Sequence, residues 1–169
     1  MGETSWTLTI DTERLILRPQ QPSDYESWYA GFSGRLPKQH QYDEGQVSLE
    51  ECDRQWFADL CQRHQQLALN DQVYIFGIFS RQNNQHLGHI DISTIRREEN
   101  QWASLGYGIH NQHWQQGFGK EAVRSALISG FEILGYHRIE AFINLDNQAS
   151  IALAQSVGMQ KECIRRGFV

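Results

Sequence analysis

Gln115-Gln116-Gly117-Phe118-Gly119-Lys120 is the stretch whose residue types and spacing best suit chemistry with a ligand. A strand-like run ending at Ile109 passes through residues 110–116 and enters a helical pattern at Gly117. Glycines at 117 and 119 let the backbone approach a ligand, and the first N–H groups of a helix lack intrahelical acceptors and point outward along its axis. The helix dipole adds about half a positive charge there and Lys120 can add a full one, so a pyrophosphate is a natural occupant. The same glycines could instead only permit a tight strand-to-helix turn. The segment has neither the third glycine and downstream acid of a dinucleotide fold nor the G-x-x-x-x-G-K-[ST] spacing.

Other reactive side chains form no such pattern. Cys52, Cys61 and Cys163 are an odd number without metal-ligand spacing and read as thiols in a reducing compartment. His110 and His113 flank the glycine turn with no acid or cysteine suitably spaced, so no metal is expected. His89 and Asp91 share one face of an alternating segment, opposite Ile90 and Ile92, and read first as a solvated strand face.

The 169 residues suit one domain over residues 1–169, with a core that needs neither disulfide nor structural metal. A net charge of −5 argues against non-specific nucleic-acid binding and suits a cationic acceptor. No run approaches the roughly 20 uncharged apolar residues of a bilayer span, and Met1 to Asp11 lacks a signal-peptide core. A cytoplasmic protein with no membrane association is expected.

The elements that must position the turn follow from periodicity. Residues 15–17 read as a strand closed by Arg18-Pro19. Ser23 with Glu26, and Ser48 with Glu51, look like capping boxes opening two helices, the first ending near Gly34 and the second carrying Leu49, Cys52, Trp56 and Leu60 as one stripe. Residues 73–80, 87–94 and 102–109 read as an antiparallel meander. Ala122, Val123, Ala126, Leu127, Phe131 and Leu134 repeat with helical period up to Gly135. A strand over 138–145, a helix over 147–157 stopped by Gly158, and a last strand over 162–169 complete the order β-α-α-β-β-β-α-β-α-β. This is an α/β mixed sheet with helices on its faces.

Leu105-Gly106-Tyr107-Gly108-Ile109 followed by Trp114 and Gln115-Gln116-Gly117-Phe118-Gly119-Lys120-Glu121-Ala122 closely resembles the acetyl-CoA motif of the GNAT superfamily. Thr12-Glu13-Arg14-Leu15-Ile16-Leu17-Arg18-Pro19, Asn147-Gln148-Ala149-Ser150, and Val157-Gly158-Met159 with Glu162 agree in order along the chain. The likeness is greatest to the RimJ/RimL-like branch, which acetylates N-termini of ribosomal proteins. It implies a GNAT fold whose strands at 102–109 and 138–145 splay to admit acetyl-CoA. Amides of Gln115, Gln116, Gly117, Phe118, Gly119 and Lys120 would cradle the pyrophosphate, and the edge at Tyr107, Gly108 and Ile109 would pair with pantetheine. Asn147 and Ser150 would face the thiol end, and a backbone N–H near Ile109 would polarise the thioester carbonyl.

The resemblance also shows departures. Ser104 stands where many members carry a glutamate base, and Ala154 where many carry a tyrosine acid. Ser150 remains to hydrogen-bond the leaving thiolate, unless it only satisfies first-turn N–H groups of its helix. Asp91, Glu162 and His89 are the options for a base. An α-amine, with a pKa near 8, is about one-tenth neutral at pH 7, whereas a lysine amine near 10.4 is almost wholly protonated, so these departures favour an N-terminal acceptor. A polyamine or amine-bearing antibiotic is the alternative, with Asp43-Glu44 and Glu50-Glu51 as its acidic hint. A non-catalytic acyl-CoA sensor is a third reading. Tyr25, Trp28, Tyr29, Phe32 and Trp56 either pack as core or line an acceptor groove. Resembling chains continue beyond the position of Val169 with a further strand, so a missing segment or a partner chain is expected at that edge, in a monomer or a homodimer.

Overall fold

The computed structural model describes residues 5–167. Within them lies one six-stranded sheet in sequence order: β1 (Ile10–Asp11), β2 (Leu15–Arg18), β3 (Val73–Ser80), β4 (His86–Arg96), β5 (Trp102–Ile109) and β6 (Arg138–Glu140). The β1–β5 neighbours are antiparallel, and β6 is parallel to β5. Helices α1 (Tyr25–Ser33) and α2 (Arg54–Leu69) precede β3, α3 (Phe118–Glu132) joins β5 to β6, and α4 (Gln148–Ser156) follows. This is the α/β mixed sheet that the sequence predicts, with the additional two-residue β1.

Period-two alternation divides the sheet. Ile90, Ile92, Ala103 and Leu105 are buried in one core with Ala122, Val123, Ala126 and Leu127 of α3. A second cluster, Trp28, Phe57 and Cys61, joins α1 to α2, with Tyr25, Phe32 and Trp56 packed against it. The aromatics of the first two helices are therefore mainly inter-helix packing, with ring centroids of Trp28 and Phe57 4.9 Å apart, and only Tyr29 is exposed among them.

Three sequence expectations are corrected. Neither serine capping box forms. Asp24, gripped by Arg18 at 2.7 and 2.8 Å, accepts from the Gln21 N–H ahead of α1, and Asp53 caps α2 by accepting from the Trp56 N–H at 2.8 Å. An aspartate caps as well as a serine, so α2 starts at Arg54 and Ser48 with Glu51 lies in the preceding turn. β6 ends at Glu140 rather than residue 145, because β5 supplies ladder partners only at Trp102, Ala103 and Ser104. Residues 161–167 form no strand; they are exposed, and Glu162 and Arg165 reach Arg138 and Glu140 by side chain instead. Phe168 and Val169, the end of that expected strand, lie outside the described residues.

Candidate active site

The glycine turn is built as a cradle. Gln115 (φ +60°) and Gly117 (φ +81°) are both left-handed, and Gly117 is the N-cap of α3 without any side-chain cap. The first helical bond runs from the Glu121 N–H to the Gly117 carbonyl, which leaves the N–H groups of Phe118, Gly119 and Lys120 without intrahelical acceptors. Lys120 is exposed at this mouth. Arg14, ahead of β2, braces the turn from behind: its guanidinium donates to the Gln116 carbonyl at 2.8 Å and to Glu121 at 2.7 Å. Thr12 adds a 2.6 Å bond to the same carboxylate.

Immediately upstream, β5 loses its neighbour. β6 pairs with it only as far as Ser104, so residues 105–109 present an unpaired edge. The His110 N–H bonds the Leu87 carbonyl on β4, and backbone groups alternate sides along a strand, so the N–H groups of Ile109 and Tyr107 point outward to the open edge. Those of Gly108 turn toward β4. The Ile109 carbonyl accepts from the Trp114 indole at 2.7 Å, which fixes the end of the strand.

On the α3 face, the Tyr107 hydroxyl lies 2.8 Å from Ser150 Oγ and 3.1 Å from the Ser150 carbonyl. Asn147, not Ser150, caps α4, its side chain accepting from the Ser150 N–H at 3.2 Å. The serine hydroxyl is thus bonded to a phenol rather than used as a helix cap. Burial raises the Tyr107 pKa against the opposing hydrogen bond from Ser150, so the phenol stays protonated.

On the opposite face, His89, Asp91 and Ser93 of β4 stand beside Gly108, Gly106 and Ser104 of β5. A Cβ on Gly106 would meet the Asp91 carboxylate at 2.5 Å, and one on Gly108 would meet the His89 ring at 3.2 Å. Both side chains therefore lean across the glycine backbone of the edge strand. Ser93 donates to Asp91 at 3.0 Å, whereas neither ring nitrogen of His89 has a hydrogen-bond partner among the described residues. His89 is exposed. Its surroundings nevertheless strip water enough to lower its pKa, while Asp91 and Glu44 pull it back up. The ring therefore stands accessible over the backbone floor made by Gly106 and Gly108.

A buried polar chain supports this floor. Arg35 Nε donates to His110 Nδ1 at 2.9 Å, and His110 Nε2 lies 2.9 Å from His86 Nδ1. A neutral imidazole accepting at Nδ1 must donate at Nε2, so the proton order runs from Arg35 through His110 to His86 and requires Gln20 to present its amide oxygen at the final 3.1 Å contact. Burial pushes His86 down to about 3 and His110 to about 2, which keeps both neutral. Arg35 also holds the exposed Glu44 at 2.8 Å.

The segment between α1 and α2 closes the site over the top. Asn111 binds the Leu36 N–H and the Asp43 carboxylate, and Gln41 and Tyr42 both reach Asp146, beside the α4 cap Asn147. Burial alone would raise the Asp43 pKa, but bonds from Asn111, Gln39 and Gly45 outweigh it and hold the carboxyl low. Contacts and chain neighbours therefore run in a circuit from the end of β5 through Asn111, Asp43, Tyr42, Asp146, Asn147 and Ser150 back to Tyr107.

The structure thus gathers Tyr107, Gly108, Ile109, Gln115, Gln116, Gly117, Phe118, Gly119, Lys120, Asn147 and Ser150 around one cleft. Glu162 is apart from it, paired with Arg138. Sequence reasoning missed the Tyr107 side chain, the Arg14 brace and the Tyr42–Asp146 bridge. The first was legible from alternation, which puts Tyr107 on the face of Leu105; the other two join residues about a hundred positions apart and leave no local signal. A cavity of about 650 Å³ lies elsewhere, between residues 5–9, 18–22 and α2. Among the described residues no group of His, Cys, Asp and Glu could hold a metal, and no helix is long and apolar enough to cross a membrane.

Comparisons with known proteins agree with this geometry. Residues 14–160 match the family model described as an acetyltransferase (GNAT) domain. The uncharacterised N-acetyltransferase YoaA of Bacillus subtilis (strain 168) is 31% identical over 162 residues, covering 95% of this chain and 87% of its own. Among solved structures, a provisionally assigned ribosomal-protein-serine acetyltransferase of Vibrio cholerae superposes with a TM-score of 0.72 at 28% identity, covering 89% of this chain and 82% of that one. RimJ of Mycobacterium smegmatis, in complex with CoA-disulfide, gives 0.76 at 18% identity over 94% of this chain and 78% of that one, a likeness of fold.

Proposed function

The chain belongs to the GNAT acetyltransferase family, and from that premise we propose that it moves the acetyl group of acetyl-CoA directly to the N-terminal α-amine of a protein, with ribosomal proteins as the first acceptors to test. The observation that carries this reading is the junction of an uncapped helix mouth with an unzipped strand edge: the first suits a diphosphate, the second an extended amide-bearing arm. Acetyl-CoA supplies an acyl group activated as a thioester. The N–H groups of residues 115–120 would bind its diphosphate, and Tyr107 and Ile109 would align the arm. The outward Ile109 N–H is the donor for charge developing on the carbonyl oxygen. Ser150, backed by the protonated Tyr107, is the donor to the departing thiolate.

Two features support a chain terminus as acceptor. Ser104 and Ala154 supply neither the carboxylate base nor the phenolic acid expected at those positions, and an α-amine demands the least help because about a tenth is neutral at pH 7. The exposed Tyr29 on α1 and the α1–α2 segment also offer a surface on which the residues behind a chain terminus could rest. The sequence of an acetyltransferase from Vibrio cholerae associated with ribosomal-protein serine is the nearest support for a ribosomal acceptor. A small polyamine is the second reading, favoured by the exposed Glu44 carboxylate, although the neighbouring Asp43 is spent on holding the loop. The proposal takes residues 1–169 as one cytoplasmic catalytic domain, a monomer or homodimer, that uses no metal, nucleic acid or membrane.

Incubating the protein and acetyl-CoA with N-terminal peptides, lysine peptides and polyamines, and following free thiol, tests the reading. Fastest release is expected with N-terminal peptides. Fastest release with polyamines would transfer the assignment to small amines, and CoA binding without acceptor-dependent release would remove the catalytic role.

A further inference from the structure

The face of the sheet opposite α3 carries a side chain that the steps above leave unused. His89 lies over Gly108, next to the residue whose N–H faces the open edge, and its ring nitrogens have no hydrogen-bond partner among the described residues. We infer that His89 is the general base of the transfer, taking the proton of the attacking amine over Gly108 beside the open edge of β5, with Asp91 and Glu44 as the carboxylates that set its basicity. The inference rests on the acetyl-transfer reading.

The geometry makes the case. A Cβ on Gly106 would drive into the Asp91 carboxylate at 2.5 Å, and one on Gly108 would press on the His89 ring at 3.2 Å. The two glycines thus clear a path by which side chains of an inner strand reach the edge strand, at the end where β6 has diverged. A solvated strand face has no need of such clearance. Nor does it need the missing ring partners, since a strand-surface histidine commonly settles on a neighbouring carboxylate. Glu162, the remaining acidic option, is committed to Arg138.

The proton balance closes. The amine nitrogen forms the C–N bond and the C–S bond breaks. One amine proton passes to a ring nitrogen of His89, and the sulfur takes a proton through the Ser150 and Tyr107 hydroxyls. The histidinium then returns its proton to solvent, to which it is exposed. The groups that bear on the ring are Asp91 on its own strand, Glu44 and Arg35 from the α1–α2 segment, His64 from α2, His86 at the start of β4, and His110 just beyond β5. Desolvation lowers the His89 pKa, so the ring is neutral and able to accept a proton at neutral pH.

The test is the pH dependence of kcat/KM for the wild type, His89→Gln and Asp91→Asn, using the best acceptor from the panel, with acetyl-CoA affinity measured alongside. His89→Gln should lose about 10²–10³-fold in kcat/KM near pH 7, in the range of general-base catalysis, with cofactor affinity unchanged and the acidic limb abolished. Asp91→Asn should keep the limb but move it to lower pH, because removing a negative neighbour disfavours the charged ring. A folded His89→Gln protein with wild-type rate and limb would overturn the inference while leaving acetyl transfer intact. An unmoved limb in Asp91→Asn would overturn it even if the first variant failed to fold. Wild-type protein inert toward every amine would instead sink the acetyl-transfer reading itself.

Discussion

Tyr107 and Ser150 are 43 residues apart in the chain, yet their hydroxyl oxygens lie 2.8 Å apart where the open edge of β5 meets the first turn of α4. A phenol thus reaches the first turn of α4 from a strand, in a protein whose α4 carries Ala154 where the family resemblance implies a phenolic acid. Tyr107→Phe removes the outer hydroxyl of this pair and Ser150→Ala the inner one. Each should lower kcat by about 10–10²-fold with little change in KM, as expected for one proton donor among several catalytic contributions. The double variant should be hardly worse than Ser150→Ala alone. Additive losses in steady-state kinetics would show that the two hydroxyls act separately.

Gly117 is left-handed at φ +81°, and a Cβ there would come within 3.2 Å of the Arg14 guanidinium. Gly117→Val places a β-branched residue in that conformation, which costs roughly 1–2 kcal/mol or more in strain and crowds the N–H groups of the helix mouth. Calorimetric titration should show acetyl-CoA affinity reduced by at least about 10-fold, the equivalent of 1.4 kcal/mol, in a protein with unchanged circular dichroism. Undiminished affinity would count against the cradle.

The buried histidines predict acid sensitivity. His86 and His110 are held neutral in the fold, at about 3 and about 2, whereas in the unfolded chain they titrate near the ordinary histidine value of 6.5. Below that value the unfolded chain binds protons that the fold refuses. Their contribution to stability is therefore complete above about pH 6.5 and is lost as pH falls from there toward 3, by about 1.4 kcal/mol per pH unit for each ring. Thermal midpoints measured from pH 7.5 to 4.5 should fall along this window. His86→Gln should flatten the dependence, and an unchanged slope would mean the rings are protonated in the fold.

What the sequence made legible was what local pattern encodes. Alternation fixed β3 and β5 to the residue, and the helical period of Ala122, Val123, Ala126 and Leu127 located the face of α3 that packs on the sheet. The glycines at 117 and 119 marked the turn, because few other residues tolerate what the turn requires. The starts of α1 and α2 were misread because several polar residues in each stretch can cap, and only three-dimensional partners such as Arg18 for Asp24 decide between them. The shortness of β6 is not legible, since Ala141, Ile143 and Leu145 continue the alternation of Ile139 after the partner strand has gone. His89 and Asp91 read as a solvated strand face and His89 is indeed exposed, but nothing in their own segment says that Gly106 and Gly108 lie across from them.

The Arg14 brace joins the segment ahead of β2 to the glycine turn, a separation of about a hundred residues. Anything that steadies the Gln116 carbonyl must also steady the ribbon formed by β1 and β2, and the reverse holds by thermodynamic linkage. Cofactor should therefore slow amide exchange in residues 10–18, none of which need touch it. Shortening or fusing the protein at its front end would then loosen cofactor grip from a distance, so affinities measured on differently tagged preparations are not interchangeable.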